Sequence, residues 1–512
     1  MKLKVKKINY ETGNKKDIII NVRDAQVLGQ KAGDRLIVKN TGIKSIDERY
    51  WIGILQIDYS DSIVNPGEVG ITLDILKERK EIQDDMVLSI KPAELPDSFR
   101  YIQKKINGEK LKGEELNKII NDATTGLLSR IDLAAFITGV NIQGMDNEEM
   151  TSLTLAEARS GELFDFGPDV FDKHSTGGVP GNKVSLIIVP IIAATGLIIP
   201  KTSTRAITSP SGTADSMEVL APVTFDSEEV KEMISKQKAC IVWGGALDIS
   251  PADNVLIEIE RPLRMDPVGL MIPSILAKKI SMGVKKLVLD IPVGPGTKFS
   301  TPNDGKNFAY TFKEIAKNIG VEAECALTLA HQPIGHAVGP ALEAKEALTL
   351  LIDYSAGPNS LIEKATDLAG ILLEMGGKAQ KGMGQKLAKE ILRSGKAYET
   401  MKKIIKAQGG NPEIIPGEIK LGPFIKEFHA TKGGHITGVN NALINQIAKA
   451  AGCPYSKSSG IEVIKKQGAR IKEGDLVFRI YSESQSKLKR AEKIYNSTGG
   501  PITLGGMMIE RI

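Results

Sequence analysis

The sequence predicts a multidomain α/β protein, and three observations carry that reading. Residues 1–95 hold short strand-like apolar runs broken by turns, residues 96–165 repeat apolar residues near the helical period, and residues 166–415 alternate strands with helices. A last stretch, 425–512, returns to strand, turn and helix. Within the α/β part, two polar loops containing glycine flank one apolar run between Lys173 and Glu218.

At the N-terminus, Leu3-Lys4-Val5 and Ile18 to Val22 read as strands, Asp34 to Val38 follows a turn at Gly33, and Met86 to Pro92 gives one more. The segment VRDAQVLGQKAGDRLIVK resembles half of a small interlocked β-barrel, of double-psi or swapped-hairpin kind. Lys2, Lys4, Lys6, Lys7, Lys15 and Lys16 fit solvated strand faces better than a nucleic-acid surface. Pro96 marks the boundary to a helical lobe. There Phe99, Ile102 and Ile106, then Leu116, Ile119 and Ile120, then Leu127, Ile131, Leu133 and Ile137 recur at helical spacing. A further helix, Met150 to Arg159, is ended by Gly161.

The first polar loop reads Lys173-His174-Ser175-Thr176-Gly177-Gly178. Its glycines let backbone N–H groups turn toward a ligand, Lys173 supplies a point charge, and the hydroxyls suit phosphate oxygens. A helix starting at about Val184 would aim its free N–H groups at the same anion. The second loop, Thr202 to Thr213, repeats the chemistry with Ser203, Thr204, Arg205, Thr208, Ser209 and Thr213. Either loop alone reads as ordinary helix capping. Both together, one helix length apart, predict a site for an oxyanion and something attached to it.

Beyond these loops, Ile241 to Gly245 reads as a buried strand and turn with Trp243 in the core, and Pro251 to Ile259 and Ser274 to Ile280 read as helices. Lys286 to Ile291 is a buried strand running into the loop Pro292 to Thr297, and Glu322 to Thr328, Glu343 to Ile352 and Leu361 to Met375 continue the alternation. In such domains ligands sit at strand ends. Near the C-terminus a helix spans Asn440 to Ala451, and Gly-Asp-x-Val after a basic turn marks a sandwich-like hammerhead ahead of a helix near Gln485 to Tyr495. His429 and His435 have no acidic or cysteine partner at metal spacing.

Composition narrows the function. A net charge of +5 over 512 residues fits small anionic substrates without demanding nucleic acid, and 5% aromatic residues argue against a base-stacking platform. Cys240, Cys325 and Cys453 lie far apart, as buried thiols of a reducing cytosol would, so a cytoplasmic location is expected. No secretory h-region opens the chain, and the run Val184 to Pro200 is interrupted by Pro190, Thr195 and Gly196, which fits a core helix and not a membrane span.

With the two loops, the S-I-L-A-K-K helix at Ser274 and QPIGHAVGPALEAKEAL in view, the chain resembles the thymidine/pyrimidine-nucleoside phosphorylase family from about Tyr101 to the C-terminus. The resemblance implies the type-II nucleoside phosphorylase fold: β-barrel-like N-terminal domain, helical lobe joined by about 251–282, central mixed-sheet α/β domain and C-terminal α/β hammerhead. The N-terminal domain and the second loop point to the family's archaeal branch that cleaves nucleotides. That branch implies phosphorolysis of AMP by inorganic phosphate to adenine and ribose 1,5-bisphosphate, with CMP and UMP as further candidates.

By the same resemblance, Lys173, Ser175, Ser185 and Ser203 would hold inorganic phosphate. Gly178, Thr204, Arg205, Ala206, Ile207, Thr208, Ser209, Thr213, Ser274 and Lys298 would bind AMP, with Thr213 also near the phosphate and Arg205 on the 5′-phosphate. Lys278 and Lys279 are nearby alternatives for the charge. Asp266 would protonate the departing base, a role that burial or neighbouring phosphate charge would favour; read alone, Asp266 before Pro267 is a turn residue. The arginine that pyrimidine enzymes place on the base falls at Ile259. No metal or organic cofactor is implied, and a homo-oligomer, at least a dimer, is. Three alternatives stand: a pyrimidine-nucleoside phosphorylase, a Mg²⁺-dependent phosphoribosyltransferase without the expected acidic cluster, and an oligomeric nucleic-acid-binding or scaffold protein.

Overall fold

Short strands in the first 92 residues close on themselves. The computed structural model describes residues 1–13, 16–40, 50–206 and 209–505. Strands β1 (Lys2–Ile8), β2 (Asp17–Asn21), β3 (Arg35–Asn40), β4 (Tyr50–Asp58), β5 (Glu68–Thr72) and β6 (Val87–Pro92) form a closed barrel in the order β1-β5-β2-β4-β3-β6. Helices α1 (Val22–Leu28) and α2 (Leu73–Glu78) sit at equivalent places after β2 and β5. The pairs β1/β5 and β2/β4 are parallel and the remainder antiparallel, so the strands interlock as the sequence predicts. Leu3, Ile18, Ile20, Leu36, Val38, Leu55, Val69 and Ile90 fill the interior.

The helical lobe comprises α3 (Ser98–Ile106), α4 (Gly113–Thr125), α5 (Arg130–Gln143) and α6 (Asn147–Arg159). Ser129 caps α5 in a reciprocal box with Asp132. Ile102, Ile119, Leu133, Phe136, Ile137 and Leu153 pack together with Ala252, Leu256, Ile259 and Leu270, which return from later in the chain. Ile131, counted in the apolar series, is exposed; the buried stripe of α5 begins two residues later, at Leu133. Residues 1–156 and 251–270 form one compact unit, and 157–250 with 271–512 form the other.

The second unit is built on parallel strands. In chain order come β7 (Phe171–Ser175), α7 (Ser185–Ala193), β8 (Ile199–Ser203), α8 (Thr213–Met217), α9 (Ser227–Gln237) and β9 (Ala239–Trp243). Helix α10 (Pro251–Leu263) lies in the first unit, and α11 (Val268–Ser281) crosses between the units. Then follow β10 (Lys286–Val293), α12 (Pro302–Asn318), β11 (Glu322–Leu329), β12 (Ala337–Val338), α13 (Pro340–Ile352), α14 (Asn359–Met375), α15 (Gly384–Arg393) and α16 (Lys396–Ala407). The order β11-β10-β7 and the pair β8-β9 are parallel throughout, and a parallel bridge from Val170 to Ile198 joins the two. Every residue of α7 is buried, which its all-round apolar sequence SLIIVPIIA requires.

Antiparallel pairing enters at β12, which joins β13 (Phe424–His429), β15 (Gly460–Val463) and β17 (Leu476–Ser482) in the sheet β12-β15-β17-β13. Alongside are β14 (Gly434–Val439), β16 (Arg470–Ile471) and β18 (Ile502–Gly505), with α17 (Asn441–Ala451) and α18 (Gln485–Thr498). The parallel strands place the loops after β7, β8 and β10 at one carboxyl edge.

Candidate active site

The first glycine loop is organised from behind by Asp290, on β10 opposite Ser175 in register. Asp290 Oδ2 lies 3.6 Å from Lys173 Nζ and 3.0 Å from Lys364 Nζ of α14, and Oδ1 accepts a 2.6 Å bond from Thr328 Oγ1. Asn182 Nδ2 donates to Asp290 Oδ2 at 3.3 Å and to Ser175 Oγ at 3.1 Å, and Gly177 N–H donates to the same hydroxyl oxygen. Thr176 N–H donates to the Asp290 carbonyl. Among the described residues, the Thr176 hydroxyl and Asn182 Oδ1 are buried and meet no hydrogen-bond partner.

Gly177 and Gly178 both take positive φ, 82° and 91°. A Cβ on Gly178 would fall 2.8 Å from Thr297 Cα, so only glycine lets this loop meet the turn that carries Lys298. Ser185 opens α7 behind the loop, and no side chain caps that helix end. Lys183, just before it, is an anchor and not a ligand group. Its Nζ donates to the carbonyls of Ile334 and Ala337, both at 2.9 Å, and meets Glu346 at 2.6 Å.

The second loop leaves β8 at Ser203 and is gathered by Asp215, whose carboxylate accepts from Ala206 N–H at 2.6 Å and Gly212 N–H at 2.9 Å. Gly212 packs on the Thr204 carbonyl, Thr213 starts α8, and Ser209 Oγ donates to the Ser211 carbonyl. Ile207 and Thr208 lie outside the described residues. Arg205 grips Glu218 through Nη1 at 2.5 Å and Nη2 at 2.7 Å and lies 4.9 Å over the Trp243 ring. Lys457 Nζ reaches the same Glu218 carboxylate at 2.6 Å. Trp243, expected in the core, packs against it while staying half-buried, with this guanidinium over its ring.

A second buried cluster lies on the other face of β7, since neighbouring residues of a strand point oppositely. Asp172 meets Lys201 of β8 at 3.3 Å and Lys279 of α11 at 2.6 Å, and Lys201 Nζ also donates to the Lys173 carbonyl at 2.8 Å. Further along α11, Lys278 Nζ lies 3.4 Å from Ser274 Oγ, and Lys298 Nζ lies 3.1 Å from Met271 Sδ. Burial pushes Lys173 down to about 8 against the pull of Asp290, and pushes Lys201 down to about 7. His174 is held well below the ordinary imidazole range, first by burial and then by Lys279, Lys201, Lys173 and Lys278. Against burial, Asp172 is held below the usual carboxylate range by Lys201 and Lys279, and Asp290 by Lys364 and Lys173. Lys173, Lys201, Lys279 and Lys364 thus surround two carboxylates, a positive surplus suited to an anion.

The structure therefore brings Lys173, Ser175, Gly178, Ser185, Ser203 to Ala206, Ser209, Thr213, Ser274 and Lys298 into one unit. Asp266 belongs to the other, exposed in the link between α10 and α11, while Ile259 is buried in the helical core. Sequence reasoning missed Asp172, Lys201, Asp215, Asp290 and Lys364. Lys201 and Lys364 carried a signal: one interrupts a buried strand, and the other falls on the apolar stripe Leu361, Ala365, Leu368, Leu372 of α14. Among the described residues no group of three or more His, Cys, Asp or Glu could hold a metal ion, and no helix is long and apolar enough to cross a membrane.

Residues 167–398 match the model of a glycosyl transferase family α/β domain, and residues 99–161 match its helical bundle domain. Over the whole chain the sequence is 45% identical to the AMP phosphorylase of Thermococcus kodakarensis, covering 99% of that protein. It is 44% identical to the AMP phosphorylases of Methanocaldococcus jannaschii and Pyrococcus furiosus, again over all of this chain and 99% of each relative. Among solved structures, anthranilate phosphoribosyltransferase from Thermus thermophilus aligns over 60% of this chain and 99% of its own, with a TM-score of 0.52 at 19% identity. That last likeness concerns the fold alone.

Proposed function

We propose, from the premise that this chain belongs to the AMP phosphorylases of that glycosyl transferase family, that it cleaves AMP with inorganic phosphate to adenine and ribose 1,5-bisphosphate. The observation that carries the reading is the buried Lys173 ammonium beside a glycine loop, at the carboxyl edge of parallel strands and within a surplus of lysine charge. Inorganic phosphate, held by Lys173, Ser175, Ser185 and Ser203, attacks C1′ as the bond to adenine breaks. Positioning makes the attack effectively unimolecular, and phosphate charge stabilises the cationic sugar.

The nucleotide lies along the second loop, with Arg205 and the loop hydroxyls on its 5′-phosphate and Ser274 and Lys298 completing its contacts. Asp266 gives the base its leaving proton. No cofactor takes part in this scheme. CMP and UMP are candidate further substrates, and the enzyme works in the cytoplasm as a homo-oligomer of at least two chains.

Burial of Ile259 where pyrimidine enzymes present an arginine speaks against the nucleoside-cleaving alternative. Phosphate-dependent release of base from AMP, CMP, UMP and thymidine tests the reading. AMP should be cleaved well and thymidine poorly; efficient cleavage of thymidine with none of AMP would reverse the assignment.

A further inference from the structure

Two ammonium groups share a single buried carboxylate behind the first loop. Lys364 enters from α14 with its side chain 6% exposed and meets Asp290 Oδ2 at 3.0 Å, and Lys173 stands back from the same oxygen at 3.6 Å. Among the described residues the buried Lys364 ammonium makes no well-aligned hydrogen bond, and its close partner is the Asp290 carboxylate, met as an ion pair. Asp290 also ties down Asn182, and through it Ser175, so an acceptor oxygen at this position, charged or not, shapes the loop.

An ionised Asp290 alone with Lys173 would absorb the lysine's charge in a closed ion pair and leave the pocket neutral. A second buried cation is the direct remedy, because strong pairing in a low-dielectric site is set by the local sum of charge. We infer that Lys364 is a positioning residue for the phosphate site: it neutralises Asp290 and so leaves the Lys173 ammonium available to the incoming anion. Lys364 itself stays on Asp290 and acts on phosphate only through Lys173. The inference rests on the proposed phosphate role of Lys173.

Charge arithmetic makes it testable. Lys173, Lys364 and Asp290 sum to one positive charge, Lys364→Met brings the sum to zero, and Lys364→Met with Asp290→Asn restores it. At pH 7, Lys364→Met should raise KM for inorganic phosphate about tenfold or more, the scale of a lost charged interaction, with KM for AMP little changed. The double variant should recover most of that loss.

The pH profile supplies a readout that misfolding would not mimic. Lys173 faces Asp290 from β10, Lys364 from α14, Asp172 on its own strand, Lys201 from β8 and His174 beside it. Lys364 is among the groups that depress Lys173 to about 8, so its removal should shift the alkaline fall of kcat/KM for phosphate to higher pH. Lys364→Gln keeps a donor on Asp290 without the charge and should behave like Lys364→Met, and Lys364→Arg should stay near the parent. Should the methionine variant not fold, the glutamine variant carries the same comparison.

An unchanged phosphate KM in the charge-free variants, or a double variant as weak as Lys364→Met, would overturn the inference. If the parent enzyme itself releases no base from AMP with phosphate, the functional reading fails instead, a separate result from the same assay.

Discussion

Arg205 already holds a carboxylate through both ends of its guanidinium, so an anion that takes it must compete with Glu218. Arg205→Ala should cut kcat/KM for AMP by about tenfold to a hundredfold, the scale of hydrogen bonds to charged groups, and leave any cleavage of adenosine nearly unchanged. Equal losses on both substrates would take Arg205 off the 5′-phosphate. Asp266→Asn should abolish phosphorolysis of AMP while inorganic phosphate, followed by calorimetry, still binds; near-parental turnover would remove Asp266 from the acid role. At this scale the loops were legible because hydroxyls, glycines and a lysine crowd into a few residues. Their supports were not. Asp290 and Lys364 are far from Lys173 in sequence, and although Lys364 falls on the apolar stripe of α14, nothing local tells which carboxylate it meets.

Among the elements, α7 shows how a buried helix is fixed in place. Its apolar surface has no register of its own, and the polar anchor is Lys183, clamped by Glu346 and by the carbonyls of Ile334 and Ala337. Lys183→Met should strand those acceptors and destabilise the fold by about 3–5 kcal/mol, the usual cost of breaking a buried pair by removing one partner; the midpoint of a urea titration checks it. Most helices and buried strands were legible from period and length, α11, α14 and β10 among them. Strands β4 and β5 were not anticipated. Gly53 and Gly70 interrupt their patterns, and barrel pairing supplies the extended backbone that local preference does not. The two-residue β12 exists only because β15 pairs with it.

The molecule as a whole depends on pH through buried groups that no loop displays. Burial pushes the Glu343 carboxyl up to about 7, with Glu346 and Asp215 adding to the push and Lys183 opposing it. Between about pH 4.5 and 7 the folded chain keeps a proton that the unfolded chain has lost, so this group's contribution makes stability fall as pH rises through that window. Glu343→Gln should flatten that part of a plot of melting temperature against pH; an unaltered slope would assign it elsewhere. Residue patterns alone did not show that the first unit is discontinuous: it takes back residues 251–270 after the chain has entered the second, a return that the family resemblance implied at about 251–282. For a chain emerging from the ribosome, that discontinuity sets an order of events. The barrel has all its strands once residue 92 is out, whereas Phe136 and Ile137 wait for Leu256, Ile259 and Leu270, made more than a hundred residues later. During that interval the lobe is a nascent helix cluster with an open apolar face, the moment at which a chaperone has most to hold.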